Sequence, residues 1–407
     1  MVYSSTMSSI VMRAAITLAS ILAIYLSTWS SVALTKIFNF AYVTLADDPH
    51  YVIKRRYTGL SLKQPHPAVF GGRTAVRESR VLGRSLGLQF KLVEKSVATE
   101  NDVATVVKTL NREAGASIFL LDLPAAMLGV AARKLAKEPV LLFNVRNRNN
   151  DLRNENCAAN LFHTLPSHRM LTDALAQYLL KKRWKKILVL RGPGESDRAY
   201  ADAFVASARR LRMNIVDDRK FTLSNDPRKR SESNVALITG GFDYDVVFIA
   251  DHHGEFGRYV PYKTYLPRPL VGDEGLMPAA WHWTWERHGA PQLNQRFARI
   301  EKNRHMSSED WAAWASIKSV VTAIRKKKST DLQVISKFLT NPATTIDTYK
   351  GSPSSFRAWN NQFRQPILMH THNAVVARAP VDGFLHKINN LDTMGYDRRE
   401  TKCQLTK

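Results

Sequence analysis

Cysteine is scarce in this 407-residue chain, with only Cys157 and Cys403 present. That excludes a disulfide-dense miniature scaffold. Neither cysteine has a second cysteine or a histidine at metal-ligand spacing, so nothing supports a zinc site. Beyond the N-terminus no stretch approaches the roughly 20 apolar residues needed to cross a bilayer, which excludes a polytopic membrane protein. Glycine (19) and proline (17) are at ordinary levels and no repeat of solenoid period recurs, so collagen-like and solenoid architectures are excluded as well. Gly192-Pro193-Gly194 lacks the third glycine of a dinucleotide fingerprint and the Gly-Lys-Ser/Thr of a P-loop, and reads as a strand-to-helix turn. A Gly-x-Ser-x-Gly nucleophile elbow is absent.

What is present is a globular composition, 44% hydrophobic, with a length that predicts two or more packed cores. The N-terminus carries one base, Arg13, then the apolar run Ala14–Trp29 and the small residues Ser31-Val32-Ala33. This pattern predicts a signal peptide over 1–33, with an uncleaved anchor as the alternative. Export implies an oxidising compartment, in which a lone, widely spaced cysteine pair is expected to form one disulfide. It would tie the C-terminal tail to the middle of the chain.

Acidic residues are in the minority, 35 against 59 Lys plus Arg, for a formal charge of +24. Nucleic acid is the usual partner of so basic a protein, yet an exported protein rarely meets it as a specific ligand. The basic runs, Lys54-Arg55-Arg56, Lys181-Lys182-Arg183, Arg228-Lys229-Arg230 and Arg325 to Lys328, are scattered and lack interleaved aromatics. They read as solvated helix ends and loops. An anionic small molecule or an anionic membrane surface remains.

From residue 38 strand-like and helix-like patterns alternate. Strands are predicted at Phe38–Leu45, Leu88–Glu94, Ser117–Leu123 and Pro139–Val145. Helical stripes lie between them at Ala75/Ser79/Leu82/Leu86, Val103/Val106/Val107/Leu110 and Met127–Glu138. This is the grammar of a doubly wound parallel sheet. It restarts after residue 165 with a Ser167-capped helix, the strand Ile187–Leu190, a helix through Tyr200, Phe204, Ala208 and Leu211, and strands at Asn214–Phe221 and Asp245–Ala250. The fold class is therefore α/β, with two doubly wound lobes. Ligands of such sheets bind beyond the carboxyl ends of the strands, which a two-lobed version turns toward a shared cleft. Helix returns at Trp311–Ile324 and Leu332–Leu339. Strands and turns follow over Tyr349–Arg378, and then an extended tail.

Several groups could carry chemistry. Trp281, Trp283 and Trp285 alternate along an irregular segment. An indole there either packs a core or hinge or offers a flat face to a planar ligand. Arg146, Arg148 and Arg198 stand near strand ends, where guanidinium groups can grip carboxylates bidentately. Asp251-His252-His253-Gly254-Glu255 follows a strand and lines the expected cleft. Adjacent histidines on an extended loop diverge and no third ligand is identifiable, so metal binding is not expected. His370 and His372 default to surface positions.

The two-lobed exported layout resembles the type I periplasmic binding proteins, specifically the branched-chain amino-acid receptor type. A narrower resemblance rests on Tyr42-Val43-Thr44-Leu45-Ala46-Asp47-Asp48-Pro49, Phe162-His163-Thr164 with Pro166-Ser167, Asp197-Arg198-Ala199-Tyr200-Ala201-Asp202-Ala203, Gly254-Glu255-Phe256-Gly257 with Val260-Pro261-Tyr262, Leu266-Pro267-Arg268-Pro269, Ala280-Trp281-His282 and Gly395-Tyr396-Asp397-Arg398. Together these strings are similar to the ABC-transporter substrate-binding proteins associated with pyrroloquinoline quinone (PQQ)-dependent alcohol dehydrogenase systems.

That resemblance implies two lobes joined by three crossovers and closing by a hinge, lobe 1 at 36–163 plus 276–348 and lobe 2 at 164–275 plus 349–407. It implies a non-enzymatic, monomeric periplasmic receptor that needs no cofactor, passes its ligand to an inner-membrane permease and binds no nucleic acid. The acidic loop Ala46-Asp47-Asp48-Pro49 departs from the Ser/Thr-rich loops of amino-acid receptors and argues against an ordinary amino-acid ligand. PQQ, a planar tricarboxylate, is the implied ligand. Trp281 or Trp283 would stack on its rings, Arg146 and Arg198 would hold carboxylates, Tyr200 and His252 would donate hydrogen bonds, and Asp122 would belong to the cleft wall. The rival readings are a receptor for another small molecule linked to alcohol oxidation, a periplasmic enzyme or accessory factor using Asp251, His252 and Glu255, and a partner-binding module with a vestigial cleft.

Overall fold

The computed structural model describes residues 35–53 and 57–405. The expected signal peptide and the Lys54-Arg55-Arg56 run lie outside the described residues.

Five parallel strands build the first sheet: β1 (Lys36–Leu45), β2 (Leu88–Val97), β3 (Ile118–Asp122), β4 (Leu141–Asn144) and β5 (Leu161–His163), in the order β2-β1-β3-β4-β5. Every residue of β3 is buried, as expected of an apolar run covered by helices on both faces. Helices α1 (Val69–Glu78) and α2 (Arg80–Ser85) precede β2, α3 (Glu100–Ala114) precedes β3, and α4 (Ala125–Lys134) precedes β4. The core on one face includes Val103, Val107, Leu128 and Ala131 of α3 and α4.

The second sheet is also parallel, with β6 (Lys186–Arg191), β7 (Asn214–Lys220), β8 (Val246–Ala250) and β9 (Leu270–Gly272) in the order β7-β6-β8-β9. Its helices are α5 (His168–Lys181) and α6 (Glu195–Arg210). Ser167 caps α5 as expected, its hydroxyl accepting from the Met170 amide at 3.2 Å. A small antiparallel sheet of β10 (Met277–Ala279), β11 (Ile367–His370) and β12 (Val375–Ala379) shares this lobe's core through Ile367, Met369 and Ala379.

The chain then returns to the first lobe. Helices α7 (Ala290–Ala298), α8 (Ser308–Lys327) and α9 (Leu332–Thr340), together with Trp281, Phe356 and Phe363, cover the other face of the first sheet. The hydrophobic contacts thus put the three crossings near 164–167, 280 and 364–366. Those segments are short and irregular, with no periodicity to mark which core they join.

One buried knot joins the crossings. Lys350 is fully buried, and its ammonium donates to the carbonyls of Ala280 (2.7 Å) and Pro366 (2.8 Å) and to Gln365 Oε1 (2.7 Å). The Gln365 amide donates in turn to the Thr164 carbonyl at 2.7 Å. All three crossings are therefore fastened at one point.

The C-terminal segment, expected as an extended tail, is packed. Leu391 and Met394 enter the second lobe's core, and the buried Asp392 accepts from Arg357 and Arg364, each at 2.8 Å. The expected Cys157–Cys403 disulfide closes this segment onto the loop before β5.

Candidate functional site

The carboxyl ends of both parallel sheets carry the loops that meet between the lobes. Glu255, after β8, accepts from the Thr58 amide (3.0 Å) and hydroxyl (2.8 Å) of the opposite lobe. Lys63 donates to the Asp273 carbonyl and lies 3.5 Å from Glu274. Gly254 makes this approach possible: its φ is +75°, and a Cβ there would stand 2.8 Å from Lys63 Cε. The lobes are closed on one another.

The first lobe's wall is a network of paired charges. Asp122, at the end of β3, is fully buried and accepts the hydroxyls of Tyr42 and, at 2.6 Å, Tyr51. Burial raises its carboxyl above the usual range, although both tyrosines and Arg146 oppose this. Arg146, just past β4, pairs with Asp48, lies 3.6 Å from Asp122 and sits over the Tyr51 ring. Arg148 donates to Glu309 at 2.6 Å. Burial works against the Glu309 charge, but Arg148 holds that carboxyl below its ordinary value.

The second lobe's wall presents an unpaired polar atom. His168 opens α5 beside Tyr200, with ring centroids 5.6 Å apart. The His168 Nδ1 is buried and has no hydrogen-bond partner among the described residues. Burial, then Arg148, lowers His168 to about 3. The same two causes lower His252, and burial, Arg146 and His252 lower His50 to about 4. These imidazoles are neutral at neutral pH, so each offers one donor and one acceptor. Arg148 lies within electrostatic reach of His168, Tyr200 and His252, bringing the two walls together around one space.

Beneath the second wall lies an acidic layer. Asp197 accepts from the amides of Gly194 (2.9 Å) and His252 (2.8 Å), joining the loops after β6 and β8. A Cβ at Gly192 would stand 2.4 Å from this carboxylate and push it off the Gly194 and His252 amides. Asp251 accepts from the amides of Gly254, Phe256 and Gly257, which commits its carboxylate to shaping the turn. Asp273, near both, is pushed up to about 7 by burial, with Asp197 and Asp251 adding to the rise and Lys63 opposing it.

The structure brings together Arg146, Tyr200, His252 and Asp122, the last as a buried support that positions Tyr51 and Arg146. Arg198 is exposed and donates to the Pro193 carbonyl of its own turn. Trp281 is only 2% exposed, bonded through Nε1 to Asn294 at 3.0 Å and stacked on Trp311 in the first lobe's core. So enclosed an indole has no free face for a planar ligand. Trp283, 39% exposed, stacks on His305 with centroids 4.2 Å apart. His50, His168 and Glu309 were not singled out from the sequence. The one available signal was the position of His168 beside the Ser167 cap, where a strand end becomes a helix start.

Residues 79–229 match a family described as periplasmic binding protein. No curated protein sequence matches. Among solved structures, an amino-acid ABC-transporter substrate-binding protein from Pseudomonas fluorescens superposes with a TM-score of 0.66 at 13% identity, covering 91% of this chain and 99% of that one. The leucine-, isoleucine-, valine-, threonine- and alanine-binding protein from Brucella ovis, in its closed conformation, gives 0.66 at 15% over the same shares. A solute-binding protein from R. palustris in complex with benzoate gives 0.61 at 10%, covering 91% and 100%. The fold is that of a type I periplasmic binding protein. The strand ends of the two sheets frame the space just described.

Proposed function

We propose that the protein is a periplasmic solute receptor of an ABC transporter, which holds one small molecule between its lobes and delivers it to an inner-membrane permease. The observation that carries this reading is the contact between the lobes, where the His168 Nδ1 of one lobe stands unpartnered among the described residues, beside Tyr200 and near Arg148 of the other. A ligand bonded to both walls would favour the closed state over the open one by its differential contacts. No catalytic step is assigned. Asp251 and Glu255, candidates for an enzymatic role, are engaged in the turn and the interlobe contact.

PQQ is the ligand implied by the sequence resemblance. Within this geometry it would bind by drawing Arg146 and Arg148 away from Asp48 and Glu309, and its rings would lie against Tyr51 and Tyr200 rather than Trp281. A second reading is favoured by the pairing of those arginines and by the acids behind the cleft: a small solute of little net charge, held by imidazole and hydroxyl groups. Calorimetric titration with PQQ, leucine and benzoate separates the two. Saturable one-to-one heat with PQQ alone, lost in Tyr200→Phe/His168→Ala, supports the first. One-to-one heat with a less charged probe supports the second. If all three probes give no heat, and extracts of periplasmic small molecules give none either, the receptor reading fails.

A further inference from the structure

A separate cavity of about 400 Å³ opens on the first lobe, lined by Thr74, Arg77 and Glu78 of α1, Arg296 and Arg299 of α7, Lys318 of α8, and Tyr349. Lys318 lies nine residues beyond Glu309, roughly 13 Å further along α8, so this cavity is apart from the cleft. Its charge is one-sided, with four cations around a single carboxylate. Glu78 is shared by Arg296 (3.0 Å) and Lys318 (3.4 Å), which anchors those two cations at the rim. Arg296 also donates to the Tyr349 hydroxyl at 3.3 Å, leaving that hydroxyl's own proton available to an acceptor. Arg77 and Arg299 are exposed and have no ion-pair partner among the described residues. The Tyr349 ring stacks on buried Trp314, so the cavity's floor is firm.

We infer that this cavity is a binding site for a phosphate-bearing anion. Two unpaired guanidinium groups beside an anchored Arg–Lys pair and a hydroxyl donor match a tetrahedral oxyanion, which takes several donors at once. The anion is either a soluble phosphate or the headgroup of an anionic phospholipid at the membrane where the receptor would meet its permease. The second source would also give the chain's +24 charge a use that a single cleft ligand does not. The inference rests on this cavity alone and stands whatever occupies the cleft.

The test uses the full exported protein in moderate salt, titrated with inorganic phosphate by calorimetry and mixed with phosphatidylglycerol-containing or pure phosphatidylcholine vesicles in a sedimentation assay. Two double variants remove equal charge from exposed positions: Arg77→Ala/Arg299→Ala in the cavity and Lys326→Ala/Lys327→Ala at the far end of α8. The site predicts that the cavity variant weakens binding about tenfold or more while the remote variant stays within about twofold. Binding of phosphate itself identifies a soluble ligand, and binding only to phosphatidylglycerol vesicles identifies the headgroup. Equal weakening by both variants, or binding of neither probe, overturns the inference.

Discussion

Lys350 Nζ stands 2.7 Å from Gln365 Oε1, and through these two side chains every crossing between the lobes is held at one buried point. The ammonium lies 3.8 Å from the centre of the Trp311 ring, with no carboxylate among its hydrogen-bond partners. Burial, and then Arg378, pushes Lys350 well below its ordinary value. On the proposed receptor reading, the lobes would pivot at the loops around the knot while the crossings keep their mutual positions.

Replacing this lysine should be costly. Lys350→Met leaves three buried acceptors without a donor, and at about 1–3 kcal/mol for each orphaned group a loss of about 3 kcal/mol or more is expected. Denaturant unfolding measures it. The folded pKa lies below the unfolded one, so the unfolded chain binds more protons between the two values, and stability from this group rises with pH through that window. Wild type should therefore gain on Lys350→Met as the solution becomes alkaline.

Asp273 gives a pH dependence of opposite sign. Its folded pKa, about 7, is above the ordinary carboxylate value, so the folded state binds the extra proton between them and stability falls as pH rises through that interval. Asp273→Asn keeps an oxygen to accept the Asp251 amide and cannot ionise. Thermal unfolding from pH 4 to 9 should show the variant's advantage growing up to about pH 7 and constant above it.

On the proposed receptor reading, the interlobe contacts set the balance between closed and open forms. Thr58→Ala with Lys63→Ala removes the hydroxyl's bond to Glu255 and the lysine's bond to Asp273, while the backbone amide at 58 still donates to Glu255. At about 0.5–1.5 kcal/mol for each bond, the pair should shift the ligand-free equilibrium about tenfold toward the open form. Small-angle scattering should then give a larger radius of gyration than for wild type, and saturating ligand should restore the wild-type value.

The disulfide fastens the C-terminal segment to the loop before β5. Cys157→Ser/Cys403→Ser frees a segment whose Leu391 and Met394 belong to the second lobe's core. A loss of about 2–5 kcal/mol is expected, with proteolysis beginning near the exposed Leu385 and Ile388.

The two sheets were legible because their strands are short apolar runs between amphipathic helices, and β3 and β8 are buried at every position. The Ser167 cap and the Gly192-Pro193-Gly194 turn were legible for the same local reason. The cleft was legible only in part. Arg146 and His252 were placed by the strands they follow and Tyr200 by its helix, but nothing near Arg146 in the sequence announces that Asp48 pairs with it. Trp281 stands out by composition, yet its burial depends on Trp311, thirty residues away on α8. The Lys350 knot was invisible, because it joins three segments that have no periodic pattern and meet only in the folded chain.

The most direct measurement is native mass spectrometry of the exported protein, taken before and after mild denaturation and repeated on Tyr200→Phe/His168→Ala. A receptor that closes on its solute predicts one small molecule bound one-to-one, released on unfolding and absent from the variant. A wild-type protein that carries no small molecule as isolated, and takes none up from a periplasmic extract, would contradict the account.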